Sequence, residues 1–243
     1  MSVKLYDLEE TIKDFNSKNL YFEVLNVVKS GKEAVVYRVS INNDLYALKL
    51  YKNVKVRSFK NTQEYVANKY IRSPNLRRAV ALKNAIGTEF MQKGWVKREF
   101  VMLSKLYDTG CNIPKPVAFS NNALIMEFVG DKNQPAPNLK NVEFTPDQAK
   151  ESFELVLENM RRFIDCGIVH SDLSEYNILW WENMPFIIDF PQSVHIKENP
   201  NAREMLKRDV HNVCKFFGRF TPLNEDEIFS ELAKELDNRI IYG

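Results

Sequence analysis

The run His170-Ser171-Asp172-Leu173-Ser174-Glu175-Tyr176-Asn177, followed after two strand-like runs by Ile188-Asp189-Phe190, sets three oxygen-bearing side chains at short, ordered spacing. Transfer of a phosphoryl group asks little covalent chemistry of a protein. It needs a carboxylate to accept or orient a hydroxyl proton, and oxygen ligands to hold Mg²⁺ on the phosphates. Asp172 and Asn177 lie five residues apart on one loop, and Asp189 ends the following strand pair, so the three can surround one point. Asp172 is the candidate catalytic carboxylate, and Asn177 and Asp189 are the candidate metal ligands. The bland alternative makes Asp172 and Asn177 turn residues and Asp189 a strand-end cap. A lone His-x-Asp would deserve that alternative; the full constellation in this order argues against it.

The order and spacing match the kinase pattern H-R-D-L-x-x-x-N followed by D-F-G. A second element supports the match. Ala47-Leu48-Lys49 closes a strand-like run as the lysine of V-A-I-K does, which makes Lys49 the candidate phosphate-holding lysine. Its partner should be a glutamate on the next helix. Glu99, in WVKREFVML, is the preferred candidate over Glu89, which precedes Gly94, where the helix is expected to begin. The third element, Ser30-Gly31-Lys32-Glu33-Ala34, lies between two strands where a kinase carries G-x-G-x-x-G. With one glycine it could be any hairpin, although backbone amides near Gly31, the Ser30 hydroxyl and Lys32 could contact phosphate oxygens.

These residues need elements to hold them. The first residues, MSVKLYDLEETIKDF, read as an amphipathic helix. FEVLNVVKSG, AVVYRVSI and DLYALKLYK read as an antiparallel meander, its turns marked by Gly31 and by Asn42-Asn43-Asp44. Gly94–Leu106 has helical spacing of Trp95, Phe100, Leu103 and Leu106. KPVAFS and ALIMEFV are short strands, DKNQPAPN a connector, and TPDQAKESFELVLENMRRFIDCG a helix opened by Thr-Pro and closed by Gly167. IVH, NILWW and PFIIDF are strand-like, and a last helical region spans 201–242. The expected fold is α+β and two-lobed: an N-terminal helix and β-rich lobe over 1–126, a hinge or connector over 127–137, and a helical lobe over 138–243, with ATP between the lobes.

Composition narrows the class. Hydrophobic residues make up 44% of 243 and aromatics 12%, enough for a core. Three cysteines without paired spacing read as reduced thiols of a cytoplasmic protein, and no apolar stretch reaches the roughly 20 residues of a membrane span, so no membrane partner is expected. The net charge of +2 says little, but its distribution is lopsided. From Lys49 to Lys83, Lys49, Lys52, Lys55, Arg57, Lys60, Lys69, Arg72, Arg77, Arg78 and Lys83 face the single acid Glu64. Such a stretch is either a solvated basic face or a surface for an anion, either ATP phosphates or nucleic acid.

Together these stretches resemble the RIO family of atypical kinases. SGKEAVVY, ALKLYK, QPAPNLKNV, HSDLSEYNIL and IIDFPQSV occur in order across nearly the whole chain. The PAPNLKNV stretch and the early position of SGKEA resemble the first RIO subfamily, without a winged helix and in an archaeal-type minimal form, whereas IDFPQ is more similar to the winged-helix subfamily. The resemblance implies a single kinase-like domain with catalytic Asp172, metal-binding Asn177 and Asp189, phosphate-binding Lys49, and a nucleotide loop at Ser30, Gly31, Lys32 and Glu33. Met126, Glu127 and Phe128 match the adenine-binding hinge, and residues 54–86 match a flexible basic loop. It implies Mg²⁺ (Mn²⁺ as the alternative) and ATP, serine autophosphorylation or ATP hydrolysis through an acyl-phosphate on Asp189, and a role in small-ribosomal-subunit maturation with protein and rRNA of the precursor as partners. DNA is not expected as a partner.

The departures from ordinary protein kinases carry consequences. Ser171 stands where HRD has arginine, so no cation is there to pair a phosphorylated activation loop. Ser174 stands where a lysine is usual, which removes a positive charge near the reaction. Pro191 follows Phe190, and no A-P-E motif follows, so a trimmed C-terminal lobe without activation segment or peptide-binding helices is expected. Asp209, in RDVHNVCKFF, either braces the catalytic loop or is a solvated charge. Two other functions remain open: a small-molecule kinase of aminoglycoside type, and a non-catalytic, ATP-gated binding module on ribosomal precursors.

Overall fold

A computed structural model describes residues 5–52, 73, 78, 80, 82 and 85–242. Nearly all of the basic stretch 54–86 lies outside the described residues. The chain divides into two compact units: Met1–Met102 with Pro116–Phe128, and Leu103–Lys115 with Val129–Gly243.

The first unit opens with helix α1 (Leu5–Ser17), followed by strands β1 (Glu23–Ser30), β2 (Ala34–Ile41) and β3 (Asp44–Tyr51). Asn42 and Asn43 take φ of 53° and 72°, which lets a two-residue turn join β2 to β3 with Ile41 opposite Asp44. After helix α2 (Ala85–Asp108) come β4 (Pro116–Phe119) and β5 (Ala123–Glu127). The strands form one antiparallel sheet in the order β1-β2-β3-β5-β4. Side chains alternate across a strand. Leu48 and Leu50 therefore share a face, where they pack with Phe15, Val39, Ala123 and Ile125. Lys49, between them, points to the other face.

Helix α2 begins at Ala85, well before the Gly94 start read from the sequence, so Glu89 is also helical. Gly94 is exposed, and nothing lies within 4 Å of the place a Cβ would take. A mid-helix glycine costs about 1 kcal/mol relative to alanine. The burial of Val96, Leu103 and Leu106 outweighs that cost, so the glycine is tolerated without stopping the helix.

The second unit is built on helix α3 (Pro146–Asp165). Its start is fixed by a capping box, in which Gln148 N–H donates to the Thr145 hydroxyl and the Gln148 side chain accepts from Thr145 N–H. Its apolar face buries Phe153, Val156, Met160 and Phe163. Two small antiparallel pairs follow: β6 (Ile168–Val169) with β9 (Val194–His195), and β7 (Ile178–Trp181) with β8 (Met184–Ile187). The helical region read over 201–242 is two helices, α4 (Ala202–Phe217) and α5 (Glu225–Tyr242). Gly218 ends the first, Pro222 cannot continue it, and the Asn224 side chain accepts from Glu227 N–H at the start of the second. Among the described residues after Asp189, only β9, α4 and α5 are regular elements. The cysteines Cys111, Cys166 and Cys214 are free and buried, and no described helix is long and apolar enough to cross a membrane.

Candidate active site

Lys49 projects from β3 on the face opposite the α1 core and meets Glu99 of α2, with Nζ 3.1 Å from Oε1. Glu99 is buried at 5% exposure. The Tyr51 hydroxyl donates to the other oxygen of Glu99, and the Lys49 ammonium lies 5.2 Å from the Tyr51 ring. Burial strengthens such a pair by excluding water, and it makes the loss of either partner costly. Tyr51 was missed by motif reading. Its signal was present in the period of two: it lies two residues beyond Lys49 and shares its face.

The Ser30–Glu33 hairpin is latched from within its own unit. Gly31 N–H donates to Ala34 O at 2.9 Å, so that amide is occupied and is not one of the donors expected to face phosphate. Lys52, absent from the motif reading, donates through Nζ to Gly31 O at 2.6 Å, and its backbone N–H donates to Glu33 O at 2.8 Å. Ser30 and Lys32 remain exposed. Met126 and Glu127 end β5, paired with Ala47 and Tyr46 of β3, and buried Phe128 is the last residue of the first unit.

In the second unit the loop between β6 and β7 carries Asp172 and Asn177. Asn177 Nδ2 donates to the Asp172 carbonyl at 2.8 Å and to Asp172 Oδ2 at 3.3 Å. With its nitrogen so engaged, the amide is oriented and its oxygen is the atom available to a cation. Ile188 N–H donates to Asn177 O at 2.9 Å, which ties the Asn177 end of this loop to the residue before Asp189. His170 is buried, and its Nε2 bonds the Ile188 carbonyl at 3.1 Å. A carbonyl only accepts, so Nε2 carries the proton. The His170 ring also packs on Phe190 with centroids 4.7 Å apart. Ser171 and Asp189 have φ of 64° and 73°, in the left-handed region that non-glycine residues enter at some cost, and such strain gathers at functional sites.

Asp209 settles the choice left open by the sequence. It is buried at 2% exposure, and its carboxylate accepts from Ser171 N–H at 2.7 Å and from Leu173 N–H at 2.9 Å, one on each side of Asp172. Asn212, three residues on, donates to Leu173 O at 3.0 Å. Helix α4 thereby grips the backbone on which Asp172 sits. His211 and His195 are exposed, and His211 pairs with Glu225.

The electrostatics follow from this packing. Local burial and then the Asp189 charge push the Asp172 carboxyl up, against the Asn177 hydrogen bond and the Arg208 charge, which pull it down. Burial pushes Asp209 from 3.8 up to about 7, opposed by its two backbone donors. An acid whose folded value lies above its unfolded one adds stability below the unfolded value and loses it as pH rises through the folded value. Asp209 should therefore contribute a stability loss between about pH 4 and 7, with a slope of up to about 1.4 kcal/mol per pH unit. In Asp209→Asn that slope should vanish, while the amide must set an NH₂ against one N–H donor at a cost of about 1–3 kcal/mol. Urea unfolding of both proteins from pH 5 to 8 checks this; parallel pH curves would contradict it.

Asn177 and Asp189 suit a hard cation, since both offer oxygen. Among the described residues no three His, Cys, Asp or Glu side chains gather as a resident metal site. Few protein oxygens, with phosphates completing the shell, is the usual pattern for Mg²⁺.

Comparison with known proteins agrees with this layout. The RIO domain family model matches residues 35–228. The serine/threonine-protein kinase RIO1 of Caenorhabditis elegans is 34% identical over 197 residues, 78% of this chain and 36% of that protein. The RIO-type serine/threonine-protein kinase Rio1 of Methanocaldococcus jannaschii is 34% identical over 201 residues, 81% of this chain and 63% of that protein. The chain thus spans well under half of the nematode relative and under two thirds of the archaeal one. In fold it is similar to the crystal structure of the Rio2 kinase-ADP/Mg²⁺-phosphoaspartate complex from Chaetomium thermophilum, with a TM-score of 0.64 at 22% identity over 98% of this chain and 75% of that one. The architecture is therefore the α+β, protein-kinase-like one, and with its family model matched over 35–228, the chain belongs to the RIO domain family.

Proposed function

We propose that the chain is a single RIO kinase domain that transfers the γ-phosphoryl group of ATP to serine or threonine hydroxyls, its own included, or to water. The observation that carries this reading is the Asp172–Asn177 pair held on a loop gripped by buried Asp209. The kinase names of its relatives support it.

Each unit carries its share of the work. Asp172 accepts the proton of the attacking hydroxyl, and its raised pKa brings it nearer to neutral pH, where a general base is effective. Lys49, kept in place by Glu99, presents its ammonium to phosphate oxygens. Ser30 and Lys32 contact the phosphates, and the backbone of Met126, Glu127 and Phe128 receives the adenine. Asn177 and Asp189 would hold Mg²⁺, which neutralises charge on the phosphate oxygens. The fungal relative is a phosphoaspartate complex. By analogy, an Asp189 carboxylate oxygen attacks the γ-phosphorus as ADP leaves, and water then cleaves the acyl-phosphate to aspartate and phosphate.

Single-turnover reactions with γ-labelled ATP test this. Label on the protein that hydroxylamine releases, and that Asp189→Ala abolishes, is the expected result for the acyl-phosphate; acid-stable label marks the serine route. Wild-type turnover by both Asp172→Ala and Asp189→Ala would sink the assignment.

We further propose that the basic stretch engages rRNA of a small-subunit precursor, a reading supported by its ten-to-one charge ratio. Association should weaken steeply with salt. Binding that ignores both salt and charge reversal of Arg77 and Arg78 would refute it.

A further inference from the structure

The second unit holds a cavity of about 260 Å³ beside the first turns of α3. Its apolar walls are Phe144, Leu155 and Trp180, and its polar lining includes Glu143, Glu151 and Asn183. The walls are preformed. Phe144 meets Trp180 edge-on at 5.3 Å, and it is backed by Phe217 at 6.0 Å and Phe220 at 5.7 Å.

The polar groups of the helix start are already spent. Gln148 closes the capping box with Thr145, and the Ser152 hydroxyl donates to Gln148 O at 2.6 Å. The two glutamates differ. Both are exposed, and among the described residues neither carboxylate has a cationic partner.

The size and chemistry of the cavity select its occupant. Pockets for drug-sized ligands measure about 300–1,000 Å³, so this one suits a single side chain better than a cofactor. Carboxylates beside aromatic faces attract a cation and repel nucleic acid. A guanidinium fits best, because its planar fork bonds carboxylates while its face stacks on an aromatic ring.

We propose that this cavity is a docking site for an arginine side chain on a basic segment of a partner polypeptide. The site is independent of the phosphotransfer reading, since no residue assigned to that chemistry lines it.

The test titrates the full chain with the peptide acetyl-Ser-Arg-Gly-Arg-Ser-amide, its lysine version and its citrulline version. Binding is followed by NMR at the Trp180 indole and the Asn183 side-chain amide. The arginine peptide should shift both signals saturably, the lysine peptide should bind more weakly, and the citrulline peptide should bind at least tenfold more weakly. Glu143→Gln and Glu151→Gln should each weaken binding about tenfold, the effect of losing one charge-assisted bond. Both glutamates are exposed, so these variants should fold, and their ATP turnover should match wild type. Asp147→Asn, outside the lining, should bind as wild type does. The proposal is overturned if the Trp180 and Asn183 signals do not move, or if the citrulline peptide binds equally. It is also overturned if Asp147→Asn weakens binding as much as Glu151→Gln, which would mean a diffuse acidic surface, or if an oligonucleotide competes for the cavity.

Discussion

Asp172→Ala is expected to slow single-turnover phosphoryl transfer from ATP by about 10²–10⁴-fold, the usual contribution of a positioned acid–base group. The fold should survive. Among the described residues the Asp172 carboxylate accepts one hydrogen bond, the 3.3 Å contact from Asn177, and Asn177 keeps its 2.8 Å bond to the Asp172 backbone carbonyl when that carboxylate is removed. Loop position is governed instead by the Asp209 contacts to the amides on either side, which the substitution leaves alone. The wild-type rate should fall with acid as Asp172 takes up a proton. Because burial and Asp189 raise its pKa, that fall should come at a higher pH than an ordinary carboxylate would give. Asp172→Asn should lose this limb along with the activity. Rate–pH profiles with ATP in excess check both statements, and an unchanged acid limb in Asp172→Asn would assign the proton to another group.

The second large effect is on stability. Glu99→Ala should destabilise the protein by about 3–5 kcal/mol, the range for removing one partner of a buried ion pair. It should lower Tm by roughly 10 °C in a chain of this size. Two groups lose their shared acceptor: the Lys49 ammonium and the Tyr51 hydroxyl. The side chains of Lys49 and Glu99 are only 12% and 4% exposed, so water does little to screen the loss. Glu99→Gln keeps an oxygen for the Tyr51 hydroxyl and removes the charge, so it should cost less. Calorimetric melts of the two variants check the order. A Glu99→Ala loss below about 1 kcal/mol, the scale of exposed pairs, would show that the contact is solvated. ATP should also bind more weakly to Glu99→Ala, since Lys49 then loses the carboxylate that orients its ammonium.

Much of the scaffold was legible because local rules wrote it. The Asn42-Asn43 turn, the strand run that carries Lys49, and the Thr145-Pro146 helix start each depend on residues close together in the chain. Glycine was read too strongly at Gly94, where burial of one helix face overrode the local preference. Near Gly31, where the sequence pointed to backbone amides for phosphate, the N–H of Gly31 itself closes the hairpin on Ala34 O.

Order along the chain was enough to single out Lys49, Asp172, Asn177 and Asp189, since a motif is a pattern of spacing and spacing is a property of sequence. Their surroundings are not. Asp209 is dozens of residues from Ser171 and Leu173, and only packing of α4 beneath the loop turned it from a solvated charge into the acceptor for both amides. Strand alternation puts Tyr51 on the Lys49 face, and long-range placement of α2 then brings Glu99 to its hydroxyl. The sequence by itself determined which groups are candidates for phosphoryl chemistry, because their identity and spacing are covalent facts. Tertiary structure alone decided which of them are held, by what and at what pKa, because burial and hydrogen-bond partners come from residues distant in the chain.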